Sequence, residues 1–160
     1  MSELAHLDGQ GLPRMVDVSA SPEALRQADA EAVLWVGPAV MSAIRDGRTP
    51  KGNIFETARV AGVMGAKRTS DGMPPCHPLN TPHVSVDMEP CDDRIVIRAS
   101  VRRYGSTGVE MEALTAAAAA GLTLYGRLKA LSKAMRLEGL RLLAKSGGRC
   151  GNYRAEAAHA

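Results

Sequence analysis

The segment from about Gly108 to Met135 constrains this chain most. It is Ala-rich and reads as one helix of about 27 residues, roughly 40 Å long at 1.5 Å per residue. Thr107 is placed to cap its start, with Glu110 three residues on as the reciprocal half of a capping box. Every other element must pack around this rod.

Those elements are shorter. Ala32 to Val36 is a β-type run closed by Gly37-Pro38, and from Pro38 to just before Asp46-Gly47 the apolar spacing turns helical. Gly52 to Arg68 reads as a second helix with small residues for close packing, stopped by Pro74 and Pro75. His83–Met88 and Arg94–Val101 read as antiparallel strands around an acidic turn at 89–93, and Leu137 to Ala144 supplies a last apolar run before Ser146-Gly147-Gly148. The order β-αα-ββ-α-β predicts an α+β fold: a four-stranded, mainly antiparallel sheet with helices on one face, the ferredoxin-like plan. Residues 1–22 read as a flexible arm with one pinned piece, Met15–Val18. Residues 23–150 read as a single domain and 151–160 as a tail. The uncovered sheet face calls for a second subunit, so a homo-oligomer is expected.

Composition narrows the function. Phe, Trp and Tyr make up 3% of 160 residues, so there is no aromatic platform for a nucleic-acid strand, and no nucleic-acid partner is expected. The net charge is only +3, but Lys51, Lys67, Arg68, His77, Lys129 and Lys145 fall in or near the unusual segments, which points to an anionic small molecule. Cys76, Cys91 and Cys150 lack C-x-x-C spacing, so neither a disulfide framework nor a zinc site is indicated; no metal and no cofactor are expected. The polar start and the lack of a long apolar window predict a cytoplasmic protein with no membrane partner.

Four segments carry chemistry. Cys76-His77-Pro78 lies in a loop stiffened by Pro74, Pro75 and Pro78, which suits a fixed imidazole. Glu110 and Glu112 flank Met111 near a helix start. There they serve either the helix dipole or the N–H edge of a guanine-like ring. Lys145-Ser146-Gly147-Gly148 resembles a phosphate-approach loop without Walker spacing. On a helix Met111 and Lys129 project the same way, with Thr115, Ala118, Leu122 and Tyr125 near that line. The stripe reads as core, except that Lys129 then needs an anion. Gly126 lies one turn before Lys129, and a helical glycine costs about 1 kcal/mol relative to Ala, so it marks either close packing, as Gly121 does, or a missing side chain.

Together, Met15–Ser19, Lys51-Gly52, Thr57–Gly62, Ala66–Thr69, Pro75–Leu79, Thr107–Thr115 and Leu142–Gly148 resemble the cyclic pyranopterin monophosphate synthase family, the molybdenum cofactor biosynthesis protein C. The resemblance implies a ferredoxin-like subunit in a hexamer, a trimer of dimers with active sites between subunits. It implies a lyase that converts cyclic dihydroguanosine triphosphate into cyclic pyranopterin monophosphate and releases pyrophosphate. By the same resemblance Lys51 and Lys129 are the central catalytic lysines, and Pro75, Cys76, His77, Met111 and Glu112 hold the substrate. Arg26, Lys67 and Lys145, with Lys51, would stabilise the charge that builds on the leaving pyrophosphate. Two positions depart from the pattern. Gly126 stands where the family has a catalytic aspartate, and Asn53 where an aspartate commonly follows Lys-Gly. Two readings stay open: a lyase slowed by the missing acid, and a noncatalytic paralogue that binds the nucleotide or joins an active homologue.

Overall fold

The computed structural model describes residues 7–156. The first six residues of the predicted arm and the last four of the tail lie outside the described residues.

Strand β1 (Ala24–Trp35) forms the middle of the sheet. Its residues alternate: Ala28, Ala30, Ala32 and Leu34 are buried on the face that meets the helices, and Gln27, Asp29, Glu31 and Val33 turn to the opposite face. Alanine is a weak strand former, which is why only the end of this strand was legible by composition. After Gly37, whose φ of 83° suits glycine, helix α1 (Pro38–Arg45) begins on proline. Helix α2 (Ile54–Lys67) is capped by Asn53, whose side-chain oxygen accepts from the Glu56 N–H at 3.1 Å. A single turn, α3 (Thr69–Gly72), follows it.

Strands β2 (His83–Pro90) and β3 (Arg94–Gly105) form the predicted hairpin, with the Cys91 N–H donating to the Arg94 carbonyl across the turn. Helix α4 (Glu110–Leu128) then crosses the inner face to β4 (Arg136–Ser146), and β5 (Tyr153–Arg154) pairs with Ala144 and Lys145. All pairings are antiparallel, in the order β2-β3-β1-β4-β5. The fold is thus α+β with an antiparallel sheet, and the sheet has five strands where four were expected. A two-residue strand has no periodicity to announce it; it exists because the free edge of β4 offers partners.

Helix α4 also corrects the sequence reading. It is shorter than the predicted rod and ends at Leu128 with Lys129 as its C-cap; the Tyr125 hydroxyl then donates to the Lys133 carbonyl at 3.0 Å as the chain turns back toward β4. Val109 occupies its N-cap position without a side-chain bond, so Thr107 is not the cap. Ala113, Ala116, Ala117, Ala120, Leu124 and Leu128 form the buried face. The Met111–Lys129 stripe is split: Tyr125 packs against the core and Thr115 is half-buried beside α2, whereas Met111, Leu122 and Lys129 are exposed, Leu122 by 63%.

Glycines set how closely α2 and α4 approach. A Cβ on Gly62 would lie 2.8 Å from Val86 Cγ2, and one on Gly65 would lie 2.8 Å from Ala119 Cβ. The outer sheet face is ion-paired: Glu31 accepts from Arg98 at 3.2 Å and from Arg141 at 3.3 Å. Exposed apolar side chains lie both on the helices, at Val60, Met64 and Leu122, and on the strands, at Leu25, Tyr104 and Leu140. Among the described residues, no helix is long and apolar enough to cross a membrane.

Candidate active site

The start of α4, the prolyl loop, the end of β4 and the N-terminal arm enclose a cavity of about 490 Å³, within the size range of small-molecule sites. Pro75, Cys76, His77, Met111, Glu112, Arg26 and Lys145 all line it. Seven of the residues singled out by sequence, far apart along the chain, therefore share one chamber. Larger grooves of about 610 and 940 Å³ lie on the outer sheet face and beside β5; of the predicted candidates they take in only Glu110 and Lys145, at a wall shared with the chamber.

Arg26 is the firmest part of the chamber. It is 4% exposed; its Nε donates to the Gly105 carbonyl at 2.9 Å, and Nη2 donates to the carbonyls of Pro22 and Ser106, each at 3.1 Å. Among the described residues Nη1 has no hydrogen-bond partner and no carboxylate pairs with this guanidinium. A buried cation without a counter-ion is costly, so the geometry favours an anionic occupant. Gly148 makes room for one: the position its missing Cβ would take lies 3.8 Å from both Arg26 Nη1 and Lys145 Nζ. Lys145 also donates to Glu110 at 2.9 Å.

Glu112 is 4% exposed, and burial pushes its carboxyl above the usual glutamate range; Glu110 adds to the rise, while Arg103 on β3 opposes it. Burial, and then the Glu112 charge, raise the Cys76 thiol. Cys76 is therefore a thiol rather than a thiolate nucleophile at neutral pH. Asp17 of the arm accepts from the Ser19 hydroxyl at 2.6 Å and from its N–H at 2.9 Å, which hold its carboxyl below the usual range.

Lys51 and Lys129 do not reach this chamber. Lys129 caps the far end of α4, about 27 Å from Met111 at about 1.5 Å per residue. There the Lys51 Nζ donates to the Gly126 carbonyl at 3.2 Å, and Arg127 donates to Thr57 Oγ1 at 3.3 Å. Lys129 is exposed at a helix C-terminus, where the dipole favours a cation, so the anion predicted for it is not needed within this chain. Lys67 is exposed at the end of α2 and lines none of these cavities. Gly126 has nothing within 4 Å of its Cβ position, whereas a Cβ on Gly121 would meet Leu137 Cδ1 at 2.5 Å. Close packing therefore explains Gly121 and not Gly126.

A family model described as the MoaC family matches residues 15–148. The chain belongs to the MoaC family. A cyclic pyranopterin monophosphate synthase of Nostoc sp. is 48% identical over 155 residues, covering 95% of this chain and 92% of that protein. The family's span takes in most of the chamber and the Lys51–Gly126 end of α4. Arg103 and Arg149 are not singled out by sequence, Asp17 is covered only as part of the Met15–Ser19 segment, and Cys150 is read only as a cysteine without a partner spacing; yet Asp17, Arg149 and Cys150 line the chamber and Arg103 acts on Glu112. The signals that were available are the Met15–Ser19 segment for Asp17 and, for Arg149, its position directly after the phosphate-approach loop. Arg149 and Cys150 lie just beyond the matched residues.

Proposed function

We propose that this chain is a lyase of molybdenum cofactor biosynthesis that converts cyclic dihydroguanosine triphosphate to cyclic pyranopterin monophosphate and releases pyrophosphate. The observation that carries this reading is the chamber at the start of α4, where the unpaired Arg26 guanidinium and Lys145 converge beside Gly148. Arg26 and Lys145 take the phosphates and stabilise the charge that grows on the departing pyrophosphate. Glu112, with Met111 and the rigid Pro75-Cys76-His77 wall, holds the purine-derived ring. Lys51 and Lys129 serve the proton transfers of ring opening and closure.

Those lysines lie too far along α4 to reach a substrate in the same protomer's chamber. We therefore place the working site between subunits, with the Lys51–Lys129 end supplied by a neighbour in a hexamer built as a trimer of dimers; Lys67 would join the phosphate cations only in such an assembly. The exposed Val60, Met64 and Leu122 give the helices apolar surface for that contact. The element order, with β5 as an addition, supports the ferredoxin-like plan for the subunit. Light scattering at micromolar concentration tests the assembly, and a monomer there would end the shared-site account.

Gly126 slows this chain relative to a relative bearing the acid, because a general acid or base contributes about 10² to 10⁴ in rate. One observation favours a second reading, a noncatalytic paralogue: Lys51 spends its ammonium on the Gly126 carbonyl, with no carboxylate at that position to orient it. Product formation separates the two. Slow conversion of the cyclic intermediate by the purified protein supports the lyase, and tight binding with no product supports the paralogue.

A further inference from the structure

Arg149 lines the chamber, and its Nη2 donates to the Ser21 hydroxyl at 2.6 Å, joining the turn after β4 to the N-terminal arm. Among the described residues it makes no ion pair and no other side-chain hydrogen bond. One neutral acceptor leaves most of the guanidinium's five donors unused. The turn that carries Arg149 is held in place. Gly147 has a φ of 84°, and a Cβ there would sit 2.0 Å from the Leu25 carbonyl oxygen, so the backbone is pressed against β1. The next glycine, Gly148, leaves open the point where Arg26 Nη1 and Lys145 Nζ converge, each 3.8 Å away.

The chamber thus has an anion cradle built from a buried, unpaired Arg26, with one further cation beside it that is held only by a hydroxyl. We propose that Arg149 is a further substrate-binding residue, which exchanges Ser21 for the phosphate next to the one held at the Arg26–Gly148 cradle. The ligand class is a di- or triphosphate, because a second cation, one residue beyond Gly148 and lining the same chamber as the cradle, suits a further phosphate group, and a guanidinium fork engages phosphate oxygens in pairs. Arg149 reads the polyphosphate end and is indifferent to the base. The inference rests on the reading of this chamber as the triphosphate site.

Calorimetry on the full-length protein tests it, with inorganic pyrophosphate and guanosine triphosphate as probes, on the wild type and on Arg149→Ala, Arg149→Lys, Ser21→Ala and Arg26→Ala. Arg149 is exposed, so its removal leaves the fold intact, and a melting curve checks this. Arg149→Ala is expected to weaken both probes by the same factor, about tenfold, as for one hydrogen bond to a charged group. Arg149→Lys should recover part of that loss, and Ser21→Ala should cost little. Unchanged pyrophosphate affinity in Arg149→Ala, with loss in Arg26→Ala, overturns the Arg149 assignment while leaving the chamber as the phosphate site. Equal losses in Ser21→Ala and Arg149→Ala overturn it as well, since Arg149 would then act only by tethering the arm. A wild type that binds neither probe removes the triphosphate site itself.

Discussion

The two ends of α4 are built on opposite principles. At its N-terminal end Glu112 is buried, Glu110 is paired with Lys145, and Arg26 is locked by backbone carbonyls, so charge is fixed within a walled chamber. At its C-terminal end Lys51, Arg127 and Lys129 are solvated or bonded to neutral oxygens, and among the described residues no carboxylate pairs with them. Gly121 and Gly126 repeat the contrast on a smaller scale: the first is filled by its neighbours and the second is open. What its missing side chain would touch decides the meaning of a helical glycine.

The largest effect expected from breaking this contrast is chemical. Gly126→Asp puts a carboxylate into open space beside the Lys51 ammonium, and conversion of the cyclic dihydroguanosine triphosphate should rise by about 10² or more. Equal turnover in the two proteins, followed side by side as product formed, would show that nothing is missing at position 126. The next effect is on stability and should differ in sign between the glycines. Gly126→Ala should stabilise by up to about 1 kcal/mol through helix propensity, while Gly121→Ala should destabilise by about 1 kcal/mol, because overpacking outweighs the same gain. Urea unfolding of both variants measures this, and shifts of the same sign would undo the distinction.

At the enclosed end the expected effect depends on pH. Burial raises the Glu112 pKa in the folded state, so its contribution to stability is fully present below the ordinary glutamate value of 4.5 and is lost as pH rises through the raised value. Glu112→Gln removes that loss. Its melting temperature should exceed that of the wild type at neutral pH, with the gap closing toward acid, and curves that run parallel with pH would contradict a buried, strained carboxylate. On the proposed reading, in which Glu112 holds the ring, activity should fall in the same variant. The smallest effect belongs to Asn53→Asp. Both residues are good N-caps, so stability should move by only a few tenths of a kcal/mol in thermal melts. A larger shift would mean that this departure from the family pattern is more than an exchange of caps.

Much of this was legible in the sequence, and the failures have identifiable causes. Helices α1 and α2 and the β2–β3 hairpin announce themselves by periodicity and by their glycine and proline stops. Most of β1 does not, because its buried positions are mostly alanines and its outer face carries the polar Gln27, Asp29 and Glu31, the last paired across the sheet. Helix α4 was drawn too long since Lys129–Met135 are good helix formers; tertiary contacts, not propensity, end it at Leu128. Met111 and Leu122 on the α4 stripe read as core although they are exposed, because apolar residues lie on both sides of this helix. The chamber residues were found through chemistry-rich motifs, yet their separation from Lys51, Lys129 and Gly126 depends on the length of α4 and the way it crosses the sheet. Arg149 carries no motif, and Asp17, although inside the Met15–Ser19 segment, gains a place at the chamber only when the arm and the turn after β4 meet.

The short β5 strand has a consequence for how the protein behaves in a crowded solution. It covers β4 only at Ala144 and Lys145, with the Ala155 N–H adding a bond to the Leu143 carbonyl at 2.7 Å. The rest of β4, from Arg136 to Leu142, lies on an uncovered edge. That edge carries Arg136, Glu138 and Arg141, and it is interrupted at Gly139, whose φ of 65° breaks the regular ladder. Among the described residues, charge and an irregular backbone are what discourage a second chain from zipping onto that stretch, which also carries Leu137, Leu140 and Leu142, while β5 occupies the regular end of the strand. The last strand thus serves as a built-in guard against aggregation, and shortening the chain before Tyr153 would uncover Leu143, Ala144 and Lys145 as a template for misassembly.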